Sequence, residues 1–282
     1  MKKFFLVLLG LFVLIVIISL ALVLLQKNVS IGEKVALIRV EGPIVDSKDT
    51  VDQIKDFLKD PSTKAIVLRV DSPGGAVAPS QEIYEEVRKA IAKKKIVVSM
   101  GSVAASGGYY ISSPASRIFA NPGTLTGSIG VIMEIPNFEG LMNKLGIKTE
   151  VVKAGKHKDI ASIFRGMKKE DREILQGVLD NVHEQFITAV ANGRKMLPDD
   201  VRKIADGRVF TGEQALKAGL VDELGDLEDA VKAAGQLSGI KGEPVVITKK
   251  EKFSFFNLLR DEVPNEFKDL FPSVRVKYLF AP

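Results

Sequence analysis

The sequence contains no cysteine and only two histidines, His157 and His183. The first absence excludes disulfides, thiolate chemistry and lipid attachment through a thiol. The second leaves no His or Cys cluster from which a metal site is built, so a reaction without metal or organic cofactor is expected. A concentrated charge of one sign is missing as well. The formal net charge is +5, of which Lys2 and Lys3 supply two, and the remaining excess is spread along the chain. With no basic stripe interleaved with aromatics, nucleic acid is not an expected partner, and an anionic membrane surface is a better one. What the chain does have is apolar residues, 46% of 282, enough for a real core.

Part of that apolar content is gathered at the N-terminus. Phe4 to Leu25 is a run of 22 residues without a charge, diluted only by Gly10 and Ser19. A helix of this length spans about 30 Å of hydrocarbon. The run exceeds the apolar centre of a cleaved signal peptide and lacks a small-x-small cleavage site, so it reads as an uncleaved anchor. The expected organisation is a short cytoplasmic tail at 1–3, a transmembrane helix at 4–25 and a polar juxtamembrane linker at 26–34. A catalytic domain at 35–240 and a C-terminal arm at 241–282 follow. The chain is then a single-pass protein of the cell membrane with its main domain on the extracytoplasmic side. The arm holds six of the fifteen phenylalanines (253, 255, 256, 267, 271 and 280). It is read either as a segment packing on a neighbour or a groove, or as a terminal helix docking on its own domain.

Between linker and arm, apolar runs alternate with helical ones. Strands are expected at Val35–Val40, Ala65–Val70, Lys95–Met100, Arg117–Ala120, Gly130–Met133 and Thr149–Lys153. Helices are expected at 51–59, 80–94, 137–145, from Lys169 to Asn192-Gly193, and from the capping-box sequence Thr211-Gly212-Glu213-Gln214 to Gly219. In the longest helix Ile174, Val178, Val182, Phe186 and Val190 trace one apolar face. Nearly continuous apolar strands joined by helices and Gly/Pro turns indicate an α/β fold with a mostly parallel sheet covered on both faces.

One segment carries the chemistry. After the third of these strands comes Ala104-Ala105-Ser106-Gly107-Gly108, which places a hydroxyl between small residues where a strand gives way to a helix. Small neighbours allow close approach and the glycines free backbone N–H groups, as a nucleophilic serine requires. A tight turn packed on the core would look the same. The context is not Gly-x-Ser-x-Gly, and Pro73-Gly74-Gly75 lacks the Gly-Lys-Ser/Thr of a phosphate loop. A serine needs a base. His157, in the polar loop Ala154-Gly155-Lys156-His157-Lys158-Asp159, is one choice. His183 sits among Asn181, Glu184 and Gln185 and reads as structural. A lysine is the other choice, because burial disfavours the ammonium and leaves a neutral amine. Ser128, in Thr126-Gly127-Ser128-Ile129-Gly130, is a candidate to hold that amine.

Five segments, in this order, resemble the signal peptide peptidase A family of bacterial membrane-bound Ser-Lys peptidases. They are Asp71-Ser72-Pro73-Gly74-Gly75, Gly101 to Tyr110, Thr126 to Gly130, Gly155 to Asp159, and Gly207 to Gly212 with Gly219-Leu220-Val221-Asp222. The resemblance spans roughly Val35 to Gly239. It implies a Clp-protease/crotonase-like fold of repeated β-β-α units, Ser106 as nucleophile and Lys158 as general base and acid. It further implies Ser128 as the residue that orients the lysine, and the N–H groups of Gly75 and Gly107 as the oxyanion hole. Leu125, Ile129 and Val131 are candidates for the substrate groove. Substrates implied are apolar peptides such as signal-peptide remnants, with other membrane or envelope proteins fitting the same chemistry. Relatives form rings or domes, so a homo-oligomer is expected, and the Ser106–Lys158 pair, 52 positions apart, meets either within one chain or between two. Two other classes compete: an acyl-CoA enzyme of the crotonase type, to which an anchor on the extracytoplasmic side denies its substrate, and an inactive scaffold retaining the fold.

Overall fold

The structure is a computed structural model that describes residues 11–15, 33–249 and 277–279. It divides into two units, Met1–Glu33 and Lys34–Pro282. In the first, residues 11–15 are helical and exposed. The rest of the expected anchor, of the linker up to residue 32 and most of the C-terminal arm lie outside the described residues. Among the described residues no helix is long and apolar enough to cross a membrane.

The second unit is built on an eight-stranded sheet. Strands β1 (Lys34–Glu41), β2 (Thr63–Ser72) and β4 (Lys95–Ala105) lie side by side and parallel at its centre. Helices α1 (Lys48–Lys59) and α2 (Val77–Ala90) provide the crossovers between them. Side chains of a strand alternate between faces, and both sets are buried here. Val35, Leu37, Ala65, Val67 and Val97 pack on Ala230, Ala233 and Ala234 of α8 (Leu227–Leu237). Ile38, Ile66, Leu68, Ile96, Val98 and Met100 face the larger core, under α1, α2 and the C-terminal half of α5 (Lys169–Arg194). This two-sided burial is why the strands read as continuous apolar runs.

β4 is longer than expected because it changes partners. Its first half pairs with β5 (Arg117–Ala120), and its last three residues pair with β6 (Leu125–Gly127). The change falls at Gly101, where an added Cβ would lie 2.6 Å from the Asp71 carboxyl carbon. Asp71 accepts from the Val103 N–H at 3.0 Å there, and the β2–β4 register shifts at the same place. Thr124 and Thr126 donate through their hydroxyls to the Gly101 and Ala104 carbonyls, tying the redirected strand to its new partner.

The remaining elements are short: β3 (Gly74–Ala76), α3 (Gly107–Ser112), α4 (Glu139–Lys144), α6 (Pro198–Arg202), β7 (Val209–Thr211), α7 (Gly212–Lys217), β8 (Glu223–Leu224), β9 (Val245–Ile247) and β10 (Lys277–Leu279). The capping box at Thr211 and Gln214 forms as read from the sequence. Two expected strands do not form. Gly130–Met133 leaves the sheet after β6, which lies earlier than expected, and Thr149–Lys153 is exposed and irregular. The expected apolar face of α5 is only half used: Phe186 and Val190 are buried, whereas Ile174 and Val178 are exposed. Two short pieces of the C-terminal arm join the domain, β9 alongside β1 and β10 against β3.

The helix α5 ends at Lys195 in the left-handed conformation rather than at Gly193. Gly193 has a different task, since a Cβ there would lie 2.3 Å from the Ser113 carbonyl oxygen. Gly193→Ala is therefore expected to push α5 off α3 and lower the unfolding free energy by about 1–3 kcal/mol, measured by urea denaturation. An unchanged midpoint would show that this contact is not tight.

Candidate active site

The chain direction alone brings the two expected serines together. Ser106 follows β4 and Ser128 follows β6, and these strands run parallel with Ala105 opposite Gly127. The Ser106 N–H donates to the Gly127 carbonyl at 2.8 Å. Both serines have positive φ, 54° for Ser106 and 49° for Ser128, a region that side chains avoid. That turn lets β4 pass directly into α3, whose Tyr110 N–H donates back to the Ser106 carbonyl. The Ser106 side chain is 1% exposed and its Oγ has no hydrogen-bond partner. A buried, strained and unpaired hydroxyl is costly to keep, and such sites concentrate where chemistry is done.

Gly75 and Gly107 meet beside it. A Cβ added to Gly107 would lie 3.1 Å from the Gly75 nitrogen, and one added to Gly74 would lie 2.6 Å from the Gly107 nitrogen. The β3 backbone and the start of α3 thus approach so closely that no side chain fits between them. Ser72 accepts from the Gly74 N–H and shapes the turn into β3.

The outer edge of β3 is occupied. β10 pairs with it antiparallel, Tyr278 opposite Gly75. A methyl at Gly74 would lie 2.0 Å from the Tyr278 carbonyl oxygen, the same methyl that would crowd the Gly107 nitrogen. The Tyr278 ring is fully buried, stacked on Tyr110 at 5.0 Å and tilted against Phe186 at 4.7 Å; Tyr84 closes on Tyr110 at 5.0 Å. Its hydroxyl donates to the Val182 carbonyl of α5 at 3.1 Å. Burial pushes the Tyr110 phenol up to about 12, so it stays neutral. This aromatic pocket was missed in the sequence, although Val274-Arg275-Val276-Lys277-Tyr278 alternates apolar and charged residues as a strand does. Of the three expected groove residues, Ile129 is sealed in the core. Leu125 is half-buried in β6, and Val131 lines a groove of about 520 Å³ with Ser128, His183 and Asp206.

Neither candidate base touches Ser106 within the chain. Lys158 is exposed, and its ammonium makes no hydrogen bond or ion pair among the described residues. His157 faces Asp171 through Nδ1 at 3.3 Å and Glu170 through Nε2 at 3.6 Å. Their loop is fastened near the N-terminus of α5, while Phe186, fifteen residues on, packs against Tyr110 of α3. Fifteen residues of helix cover about 22 Å. In the sequence on either side of the loop, Phe138, Leu141, Leu145, Val151, Val152 and Phe164 are all exposed.

Two family models match the chain: peptidase family S49 over residues 88–241 and Clp protease over residues 34–122. A putative protease of Synechocystis sp. is 42% identical over 217 residues, covering 77% of this chain and 78% of that protein. A putative protease of Methanocaldococcus jannaschii is 38% identical over 268 residues, 87% of this chain and 86% of the relative. A putative signal peptide peptidase SppA of Enterococcus faecium is 34% identical over 239 residues, 79% of this chain and 69% of the relative.

The strain at Ser106 is measurable. Ser106→Gly removes both the unfavourable φ and the unpaired hydroxyl, and is expected to raise the unfolding free energy by about 1–2 kcal/mol. Ser106→Ala, which keeps a Cβ at positive φ, should gain less. Equal or lower stability of the glycine variant would contradict the strain.

Proposed function

Because the chain belongs to peptidase family S49, the family of signal peptide peptidase A, we propose that it is a serine endopeptidase whose nucleophile is Ser106 and whose general base is Lys158. The observation that carries this reading is the β10 strand. A segment of extended chain lies antiparallel on β3 with Tyr278 opposite Gly75, and one added Cβ at Gly74 would crowd both the Tyr278 carbonyl oxygen and the Gly107 nitrogen. A peptidase holds its substrate in this way, and the buried Ser106 Oγ lacks only a base.

The base comes from a second copy. Among the described residues Lys158 has no partner, and exposed apolar side chains flank its loop in the sequence. Docking that surface on the Ser106 region of a neighbour would bury the amine, and burial favours its neutral form. The amine then accepts the Ser106 proton as Oγ attacks the peptide carbonyl. The N–H groups of Gly75 and Gly107 hold the oxyanion, and Ser128, beside Ser106, orients the lysine. The protonated lysine gives its proton to the leaving amine, and water releases the acyl group.

The apolar run at Phe4 to Leu25 supports a membrane anchor with the catalytic domain on the extracytoplasmic side. Apolar peptides left in or near the bilayer, such as signal-peptide remnants, are the substrates this arrangement reaches. The aromatic walls around Tyr278 favour a large apolar side chain before the cleaved bond.

Treating the full chain with a fluorophosphonate, which traps an activated serine, tests the dyad. Labelling is expected in wild type, lost in Ser106→Ala and Lys158→Ala, and kept in His157→Ala. Label that survives Lys158→Ala but not His157→Ala would replace the lysine by a histidine base. A chain ending before Lys277 is expected to label faster than wild type, since nothing then competes for β3; an equal rate would mean that β10 does not hold the groove.

A further inference from the structure

The loop that carries Lys158 is fastened on each side of that residue. Arg165 donates from Nε to Asp159 Oδ2 at 2.9 Å, from Nη2 to the Asp159 carbonyl at 2.9 Å and to Asp171 Oδ2 at 2.8 Å, and from Nη1 to the Gly166 carbonyl at 3.0 Å. Lys153 reaches the other Asp159 oxygen and the Lys156 carbonyl. Asp171, in the first turn of α5, also faces His157, and Lys156 pairs with Glu170. Residues 156, 157 and 159 are each tied down, and the side chain between them is left free.

Burial separates this cluster from ordinary surface pairs. The Asp171, Asp159 and Arg165 side chains are 4%, 14% and 21% exposed. The Arg208–Asp206 pair, at 58% and 51%, is of the kind that contributes little. Arg165 and Lys153 hold the Asp159 carboxyl well below the usual range, and the Arg165 hydrogen bond lowers that of Asp171. A planar guanidinium can bridge two carboxylates and two carbonyls at once, which a single ammonium cannot.

We propose that Arg165 is a positioning residue for the reaction, a clamp that bolts the Lys158 loop to the N-terminus of α5 through Asp159 and Asp171. The inference rests on the reading of Lys158 as the base. Asp159 adjoins Lys158 in the chain, so its fixed carboxylate and carbonyl set where the lysine backbone stands. Asp171 belongs to a helix whose far end is packed beside the Ser106 turn. Arg165 joins the two and makes the position of Lys158 a property of the core rather than of a loose loop. Its hydrogen bonds all go to the loop and to α5, and none goes to β3 among the described residues.

The test is steady-state kinetics of the full chain on an apolar peptide, with assembly followed by light scattering. Arg165→Ala is expected to lower kcat by about ten- to a hundredfold at unchanged KM, the signature of a misplaced base rather than a damaged groove. Guanidinium ion at sub-denaturing concentration should restore part of kcat to Arg165→Ala and none to Lys158→Ala, and Arg165→Lys should fall between Arg165→Ala and wild type. Should Arg165→Ala fail to assemble, Asp171→Asn is the milder variant, with kcat reduced at unchanged KM and mass. Full kcat in Arg165→Ala, or in Asp171→Asn where that variant carries the test, overturns the clamp, as does a loss borne only by KM. Full kcat in Lys158→Ala would instead overturn the assignment of the base.

Discussion

The site depends on a contact between backbones: β3 lies against the first residues of α3 so closely that neither Gly74 nor Gly107 has room for a Cβ. That separation brings the Gly75 and Gly107 nitrogens beside the Ser106 turn. Several other features follow from maintaining it. β4 must bend at Gly101 to bring the start of α3 under β3, and the Asp71 carboxylate occupies the bend and bonds the displaced strand. Ser106 must turn at positive φ, because the strand has to become a helix within one residue. The glycines and the aspartate of these motifs are therefore one mechanical unit, although they are spread over more than thirty positions of sequence.

Much of this was legible in the sequence, for a definable reason. The central strands are buried on both faces, so their apolar runs are unbroken, and Thr211 and Gln214 announce a helix start by local chemistry alone. The close packing around Ser106 was legible for the same kind of reason, because its small neighbours in sequence correspond to close approach in space, whereas Gly75 was singled out through the family resemblance alone. The misreadings share a cause as well. Gly130–Met133 and Thr149–Lys153 have strand composition but form no strand, only a single bridge at Ile132. Ile174 and Val178 have helical spacing without a surface to bury them. Periodicity reports what a segment can cover and is silent on whether the same chain supplies the cover.

The rest of the site was hidden because it is made by long-range pairing of ordinary residues. Tyr84, Tyr110, Phe186 and Tyr278 come from four elements and look like core aromatics wherever they stand. Arg165, Asp159 and Asp171 look like solvated charges among many others. Ile129 misled in the opposite direction: adjacent to Ser128 in sequence, it points into the core at zero exposure. A neighbour along a turn is often on the wrong side of it.

The 26 residues of α5 have a consequence of their own. One end of the helix is set into the core at Phe186 to Ala191, the other is clamped to the lysine loop, and the middle is exposed. Such a rod acts as a ruler. Each residue added to its middle would advance the loop about 1.5 Å and swing it by about 100° around the axis, so one insertion would aim Lys158 away from its present bearing. Two full turns, seven residues, would nearly restore the direction but displace the loop by about 10 Å. The exposed stretch of α5 should therefore tolerate changes of side chain far more readily than changes of length.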